Sequence, residues 1–245
     1  MVIKARIAYL GRNFLGFERQ KEGRTVQGTI EKTLSDYFGT EILVQGAGRT
    51  DAGVNASGQV IAFSSPRESM DFERERRAID RRLPSDLSLL SLEEAPAGFH
   101  PRKSAKCKIY AYRFSFGERD VFQPAVTFLD REEKFNLGLF EKTLSLFVGR
   151  HDFASFTSKD ADARGFVRTI ESIDVANKGK ETSVVFKGDG FMTYQIRFIV
   201  GAAFKAAYGE LSIDEVQKRI DAPKRSILSY KAPAEGLTLV YVGYE

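Results

Sequence analysis

Asp51 is the one carboxylate between Glu41 and Glu68, and it lies in Gly48-Arg49-Thr50-Asp51-Ala52-Gly53-Val54-Asn55-Ala56-Ser57-Gly58. The apolar run Ile42-Leu43-Val44 leads in, and Gln59-Val60-Ile61-Ala62-Phe63 leads out. Glycine admits positive φ and lets a ligand come close to the backbone. A loop of this make-up can hold one side chain at a fixed angle, and Asp51 is its candidate nucleophile or base. An Asp between two strands is also an ordinary turn former that bonds its own backbone. Against that reading, Asp51 follows Arg49-Thr50 instead of opening the turn. The segment also exceeds the roughly two to five residues of a tight hairpin.

Three further sets of residues could carry chemistry. Arg197 interrupts an apolar helical pattern and shares one face with Thr193, Gly201 and Lys205 at i, i+4 spacing. That face is either a solvated edge or the seat of an Arg that keeps a carboxylate ionised and oriented. Tyr110 and Tyr112 alternate on a strand pattern, as a core pair or as a stacking platform for bases. Arg49, beside the Gly-rich loop, is a phosphate contact or a surface charge. The run Glu73-Arg74-Glu75-Arg76-Arg77 with Arg81-Arg82 reads as the solvated face of a helix whose inner side is Ile79 and Leu83. His100 and His151 are the only histidines and are far apart, and no metal-ligand spacing is present. Cys107 is the only cysteine, which excludes an intramolecular disulfide and makes a Cys-based metal site implausible.

The elements that must position these residues follow from periodicity. Residues 2–9 alternate as a strand, and 11–24 form a loop with four basic residues, Arg12, Arg19, Lys21 and Arg24. Thr25 caps a helix with the stripe Val26, Ile30, Leu34, Tyr37 and Phe38. Then come strand 41–47, the Asp51 loop, strand 59–63, a helix near 71–83 and strand 87–94. The order β-α-β-β-α-β recurs in the second half: strand 106–116, a helix capped by Asn136, strands 168–175 and 182–187, helix 191–208 and strand 236–243. Ser212-Ile213-Asp214-Glu215 is a capping box for a short helix.

The expected fold is therefore α+β: two ferredoxin-like halves, 1–98 and 99–245, with their sheets joined into one central sheet, helices on one side and the site in the cleft between halves. Two stretches exceed a minimal repeat. One is Gly117–Lys134. The other is Gly149–Val167, read as structureless, with Arg150, His151, Lys159, Arg164 and, just beyond, Arg168 forming a flexible wall around a substrate.

At 245 residues the chain can bury a sizeable core, and its apolar fraction of 42% is that of a globular protein. No apolar run approaches a membrane span, and Met1-Val2-Ile3-Lys4-Ala5-Arg6 alternates like a strand and unlike a signal peptide. A reducing cytoplasm and no membrane partner are expected. The net charge of +4 permits an RNA partner without demanding one.

The segment Gly48–Phe63 resembles GRTDAGVxAxGQVxxF, the signature of the TruA-type tRNA pseudouridine synthases. Gly190-Phe191-Met192-Thr193-Tyr194-Gln195-Ile196-Arg197-Phe198-Ile199-Val200-Gly201 is similar to that family's GFLxxxVRxIVG. Phe99-His100-Pro101-Arg102 through Tyr110-Ala111-Tyr112 resembles FHARxSA…YxY, and Gly149-Arg150-His151-Asp152-Phe153-Ala154-Ser155-Phe156 resembles GxHDFxxF. Leu83–Leu87 and Ala232–Leu237 also match, so the resemblance runs from Tyr9 to Tyr244. Asn55 stands where the family often has His, Phe17 where it often has Trp, and Pro101 where it usually has Ala.

The resemblance implies an enzyme that isomerises uridine to pseudouridine on the 3′ side of the tRNA anticodon stem-loop. It makes Asp51 the catalytic carboxylate, Arg197 its ionic partner, and Tyr110 the tyrosine that stacks on the target base. Arg49 helps flip the nucleotide, which suits a uridine that cannot be attacked inside a stem. Arg150 and Arg168 are expected on the RNA, and the GxHDFxxF segment is expected to be structural. The reaction moves no electrons and imports no group, so no cofactor and no metal are expected. A homodimer is implied, with tRNA reaching both subunits. Two other classes compete. One is a non-catalytic RNA-binding protein with two RRM-like halves, although the RRM aromatic motif is not spelled out. The other is an Asp-nucleophile hydrolase or glycosidase, which would need a second acidic residue that is missing near Asp51.

Overall fold

Alternation along Val2–Tyr9 turns Ile3, Ala5, Ile7 and Tyr9 to one buried face, and strand β1 forms there in the computed structural model, which describes residues 1–158, 165–225 and 228–245. The chain divides into two compact units. The first comprises Met1–Lys106 with Thr238–Glu245, and the second Cys107–Leu237. The expected boundary at 98/99 lies eight residues earlier.

In the first unit the order is β1, α1 (Val26–Phe38), β2 (Val44–Gly46), β3 (Asn55–Ser64), α2 (Phe72–Asp80) and β4 (Leu87–Glu94), with β10 (Leu237–Gly243) added at the end of the chain. β1 is central, antiparallel to both β3 and β4. The other edge of β3 is shared. β2 runs antiparallel to its second half, Val44 facing Phe63, and β10 runs parallel to its start, Thr238 facing Asn55. This pairing, with Lys106 N donating to Gly243 O at 2.8 Å and Tyr244 Oη to Pro101 O at 2.9 Å, draws the last strand into the first unit although the sequence order puts it in the second half. Thr25 caps α1 through Gly28 N, as its position predicts. On α2, Glu73 bonds Arg76 and Arg77, and these two guanidinium groups hold its carboxyl down at about 2. That helix face is a solvated charge cluster, as read.

The second unit runs β5 (Cys107–Phe116), β6 (Thr127–Leu129), α3 (Leu137–Ser145), β7 (Gly149–Asp152), β8 (Val167–Lys178), β9 (Glu181–Gly188), α4 (Gln195–Ala207) and α5 (Ile213–Asp221). Its sheet order is β5-β9-β8-β7, antiparallel throughout, with β6 parallel to β5. All of α4 except Lys205 is buried. Phe204 anchors it in an aromatic cluster, stacked on Phe140 at 5.5 Å and edge-on to Phe114 at 5.1 Å. Asn136 caps α3 through Leu139 N, and Ser212 and Glu215 form the expected capping box on α5.

Three expectations need correction. Strand 59–63 begins earlier, at Asn55, which shortens the Asp51 loop to residues 47–54. Helix 191–208 begins at Gln195, because Tyr194 takes a left-handed conformation, φ 61°, that a right-handed helix cannot contain. Gly149–Val167 is not wholly structureless. Gly149–Asp152 pairs with β8 as an edge strand, and 154–156 form a single 3-10 turn. Lys159 and Arg164 lie outside the described residues.

Candidate active site

The Asp51 loop is held from three directions within the first unit. From below, Ala47 N donates to Val60 O at 2.8 Å, and Gln59 Nε2 to Gly48 O at 2.9 Å. From β1, the Tyr9 hydroxyl pairs with Thr50 Oγ1 at 2.8 Å. Burial pushes the Tyr9 hydroxyl up to about 12, despite the opposing effect of its hydrogen bonds with Thr50 and Gln59, so it stays neutral. From the segment before α1, Phe17 N donates to Thr50 O at 3.0 Å and Gly53 N to Phe14 O at 3.4 Å. Asn55 takes a specific part: its buried Oδ1 accepts Gly11 N at 2.8 Å, clamping the end of the loop to the end of β1. Gly11 must be glycine, since a Cβ there would run into the Val54 carbonyl. Asp51 itself is half-buried, its own carbonyl accepting Val54 N at 3.1 Å. Val54 N thus closes a turn on the Asp51 carbonyl, and the loop is fixed on either side of Asp51.

Arg49 is more than half exposed and forms an ion pair with Glu18 at 2.5 Å. Glu18 carried no signal in the sequence beyond its place in a basic loop. That loop is itself braced: Arg24 makes two bonds to Asp86, at 2.7 and 2.6 Å, and lies over the Phe14 ring at 4.2 Å. The Arg24 guanidinium, with help from Asn13, holds the Asp86 carboxyl below its ordinary range.

In the second unit, Tyr110 is 7% exposed on β5, its ring edge-on to Phe191 at 5.3 Å. Tyr112 is a core residue. Its hydroxyl meets Thr127 Oγ1 at 3.0 Å and donates to Pro233 O at 3.1 Å, and burial pushes its pKa far up. Of the two tyrosines, Tyr112 is committed to packing.

Arg197 is buried in α4, and its Nε donates to Ala232 O at 2.8 Å while Ala232 N donates to Arg197 O at 2.9 Å. One turn on, Gly201 lets the segment 230–232 press against the helix, for a Cβ there would strike the Tyr230 carbonyl oxygen. The solvated-edge reading of this face fails at both residues, while Thr193 and Lys205, the latter bonded to Glu210, are half-buried at its two ends. Tyr194 and Lys231 adjoin Arg197 and had no recognisable signal: the Arg197 guanidinium lies 5.4 Å from the Tyr194 ring centre and Lys231 Nζ 3.8 Å.

Arg150 is exposed on β7. Arg168 is 2% exposed, with Nη1 donating to Val167 O at 2.7 Å and Gly165 O at 3.2 Å. In the neighbouring GxHDFxxF-like segment, His151 Nε2 meets Val148 O, Asp152 accepts Ala154 N, and Phe153 and Phe156 are core. Among the described residues no three His, Cys, Asp or Glu side chains gather as metal ligands, and no helix is long and apolar enough to cross a membrane.

The family profile described as tRNA pseudouridine synthase matches residues 5–102 and 144–245. The tRNA pseudouridine synthase A of Geobacillus kaustophilus is 38% identical over 245 residues, covering 99% of this chain and 94% of its own. That of Anoxybacillus flavithermus is 36% identical over 244 residues, covering 99% and 98%, and that of Thermodesulfovibrio yellowstonii 35% over 258 residues, covering 99% of both. With the profile spanning both units and the relatives spanning the whole chain, this protein belongs to the tRNA pseudouridine synthase family.

Proposed function

We propose that Asp51 is the acting carboxylate of this tRNA-uridine isomerase, with Arg197 holding it charged and oriented and Tyr110 stacking on the target uracil. In the reaction the N1–C1′ bond breaks, uracil turns, and C5 bonds to C1′. The proton on C5 leaves and N1 gains one, so substrate and product are isomers. Arg49 helps to expose the nucleotide, and Arg150 meets phosphate. Arg168 acts from its buried place, holding the Gly165 and Val167 carbonyls where the chain enters β8. The substrate region is the 3′ side of the anticodon stem-loop, the working form a homodimer in the cytoplasm, and no cofactor or metal takes part.

The observation that carries this reading is the fixing of Asp51. Tyr9, Gln59, Phe14 and Phe17 all bond the short loop that bears it, and Gly11 clamps Asn55 just beyond its end. A loop so held needs little reorganisation to present its carboxylate to a base. Asp51→Asn is nearly isosteric and removes only the charge. It is expected to bind an anticodon stem-loop as the unaltered enzyme does, yet to release no tritium from C5-labelled uridine. Turnover in a preparation shown free of deamidation would remove Asp51 from the mechanism.

A further inference from the structure

Among the described residues only Arg131 and Tyr194 combine a side chain with positive φ. Tyr194 sits at φ 61°, ψ 3°, immediately before α4. Its Cβ crowds the following carbonyl there, a cost that glycine avoids and asparagine partly offsets. Something must hold an aromatic residue in that conformation.

The ring's neighbours supply the reason. Lys231 Nζ stands 3.8 Å from the ring centre and the Arg197 guanidinium 5.4 Å, and the Phe198 ring meets it edge-on at 6.2 Å. The same two stretches of chain are joined again by two hydrogen bonds, the Arg197 guanidinium Nε donating to Ala232 O and Ala232 N to Arg197 O. The left-handed turn is what brings the ring back over the first turn of α4, where Arg197 lies. A Tyr in ordinary helical conformation at this position would extend α4 and project its ring elsewhere. On either side of it the backbone is pinned, Thr157 Oγ1 donating to Thr193 O and Phe198 N to Tyr194 O.

We propose that Tyr194 is a positioning residue for Arg197: its ring, held in a strained left-handed turn and backed by Lys231, fixes the guanidinium in the orientation that turnover requires. The proposal rests on the role assigned above to Arg197. It predicts that stability and activity part company at this position, since relieving the strain also removes the ring.

The test uses the full chain with Tyr194→Gly, Tyr194→Asn and Tyr194→Phe. Glycine and asparagine suit the left-handed turn and lack the ring, whereas phenylalanine keeps the ring. Expected for the glycine and asparagine variants are a melting temperature equal to or above that of the unaltered protein, KM for a stem-loop within about twofold, and kcat lowered about tenfold, the loss of a partly desolvated cation–π contact. Hydrogen exchange at Arg197 Nε, followed by nitrogen-15 NMR, should quicken in both ring-less variants. Tyr194→Phe should match the unaltered protein in every measurement. Unchanged kcat together with unchanged exchange in the ring-less variants would overturn the proposal, as would a Phe variant as impaired as they are. Faster exchange with unchanged kcat would support Tyr194 as the group that holds Arg197 while refuting the catalytic service proposed for Arg197 itself.

Discussion

Arg49 and Asp51 are two residues apart on one loop, and their surroundings give them different work. Asp51 is half-buried in a segment whose neighbours are bonded on either side, whereas Arg49 is more than half exposed and engaged at its tip by Glu18. An exposed ion pair of this kind is worth about 0–1 kcal/mol, so a phosphate or a displaced strand can draw Arg49 away from Glu18 at little cost. In the role proposed for it, Arg49 can then act on the nucleotide's position without disturbing the carboxylate. Unstacking a paired base costs on the order of a few kcal/mol, less where the base is already unpaired. Arg49→Ala is accordingly expected to lose most single-turnover activity on a uridine within a stem and to recover part of it when the target is mismatched. Asp51→Ala should be inactive on both, since exposure supplies no carboxylate. Equal losses for Arg49→Ala on the two substrates would place Arg49 in the chemistry or in the support of Asp51, not in flipping.

The element that matters most in the second unit is α4, and its seat depends on one missing methyl group. Gly201 admits the carbonyl of Tyr230, and through that approach the segment 230–232 reaches Arg197 and Tyr194. Gly201→Ala forces a backbone oxygen to move, and overpacking of this kind costs about 1–3 kcal/mol. The expected result is a folded protein of lowered melting temperature whose kcat falls more than its KM rises, because the displaced segment carries Ala232 away from the Arg197 Nε. A variant with unchanged melting temperature and kcat would show that the segment yields freely and does not seat the Arg. Periodicity made the helix itself legible, and Asp51, Arg49 and Arg197 stood out by type and spacing. The strand pattern at 2–9 and 87–94 was legible in the same way, since alternation needs only near neighbours. What lay beyond reach was what depends on distant chain. The face shared by Arg197 and Gly201 could be read either as solvated or as the seat of an orienting Arg, because residues 230–232 are remote in sequence. Arg168 was read as part of a substrate wall because a guanidinium in a loop usually faces water, and its burial, with Nη1 on the Gly165 and Val167 carbonyls, left no mark in the sequence. The late start of α4, after Tyr194, left no mark either, as tyrosine is a poor signal for a left-handed turn. Asn55 departs from the family's His in type, and its amide oxygen still clamps the loop through Gly11.

Over the whole molecule, 37 Lys and Arg offset 33 Asp and Glu, and a net charge of +4 on 245 residues is a weak field. RNA binding must therefore come from where the cations stand, not from their excess. Many are already spent: Arg24 on Asp86, Arg76 and Arg77 on Glu73, Lys4 on Glu93. Arg150 on its exposed edge strand, and Arg49, whose exposed pair with Glu18 yields at little cost, are foremost among those able to meet phosphate and release its counterions. Each such contact adds about 0.7–0.9 to the slope of log affinity against log salt. The predicted plot for a stem-loop is steep, and its slope is a sum over a few identified residues. Arg150→Ala should weaken binding to all stem-loops alike and lower the slope by about one. Arg76→Ala removes the same formal charge from the Glu73 cluster on α2 and should leave the slope unaltered, because that guanidinium is engaged by carboxylate and a backbone carbonyl. Asp51→Asn should keep the slope of the unaltered enzyme, as it changes chemistry and not phosphate contacts. A nearly flat plot, or equal slope changes for Arg150→Ala and Arg76→Ala, would mean that the RNA senses net charge alone and that no individual cation positions it.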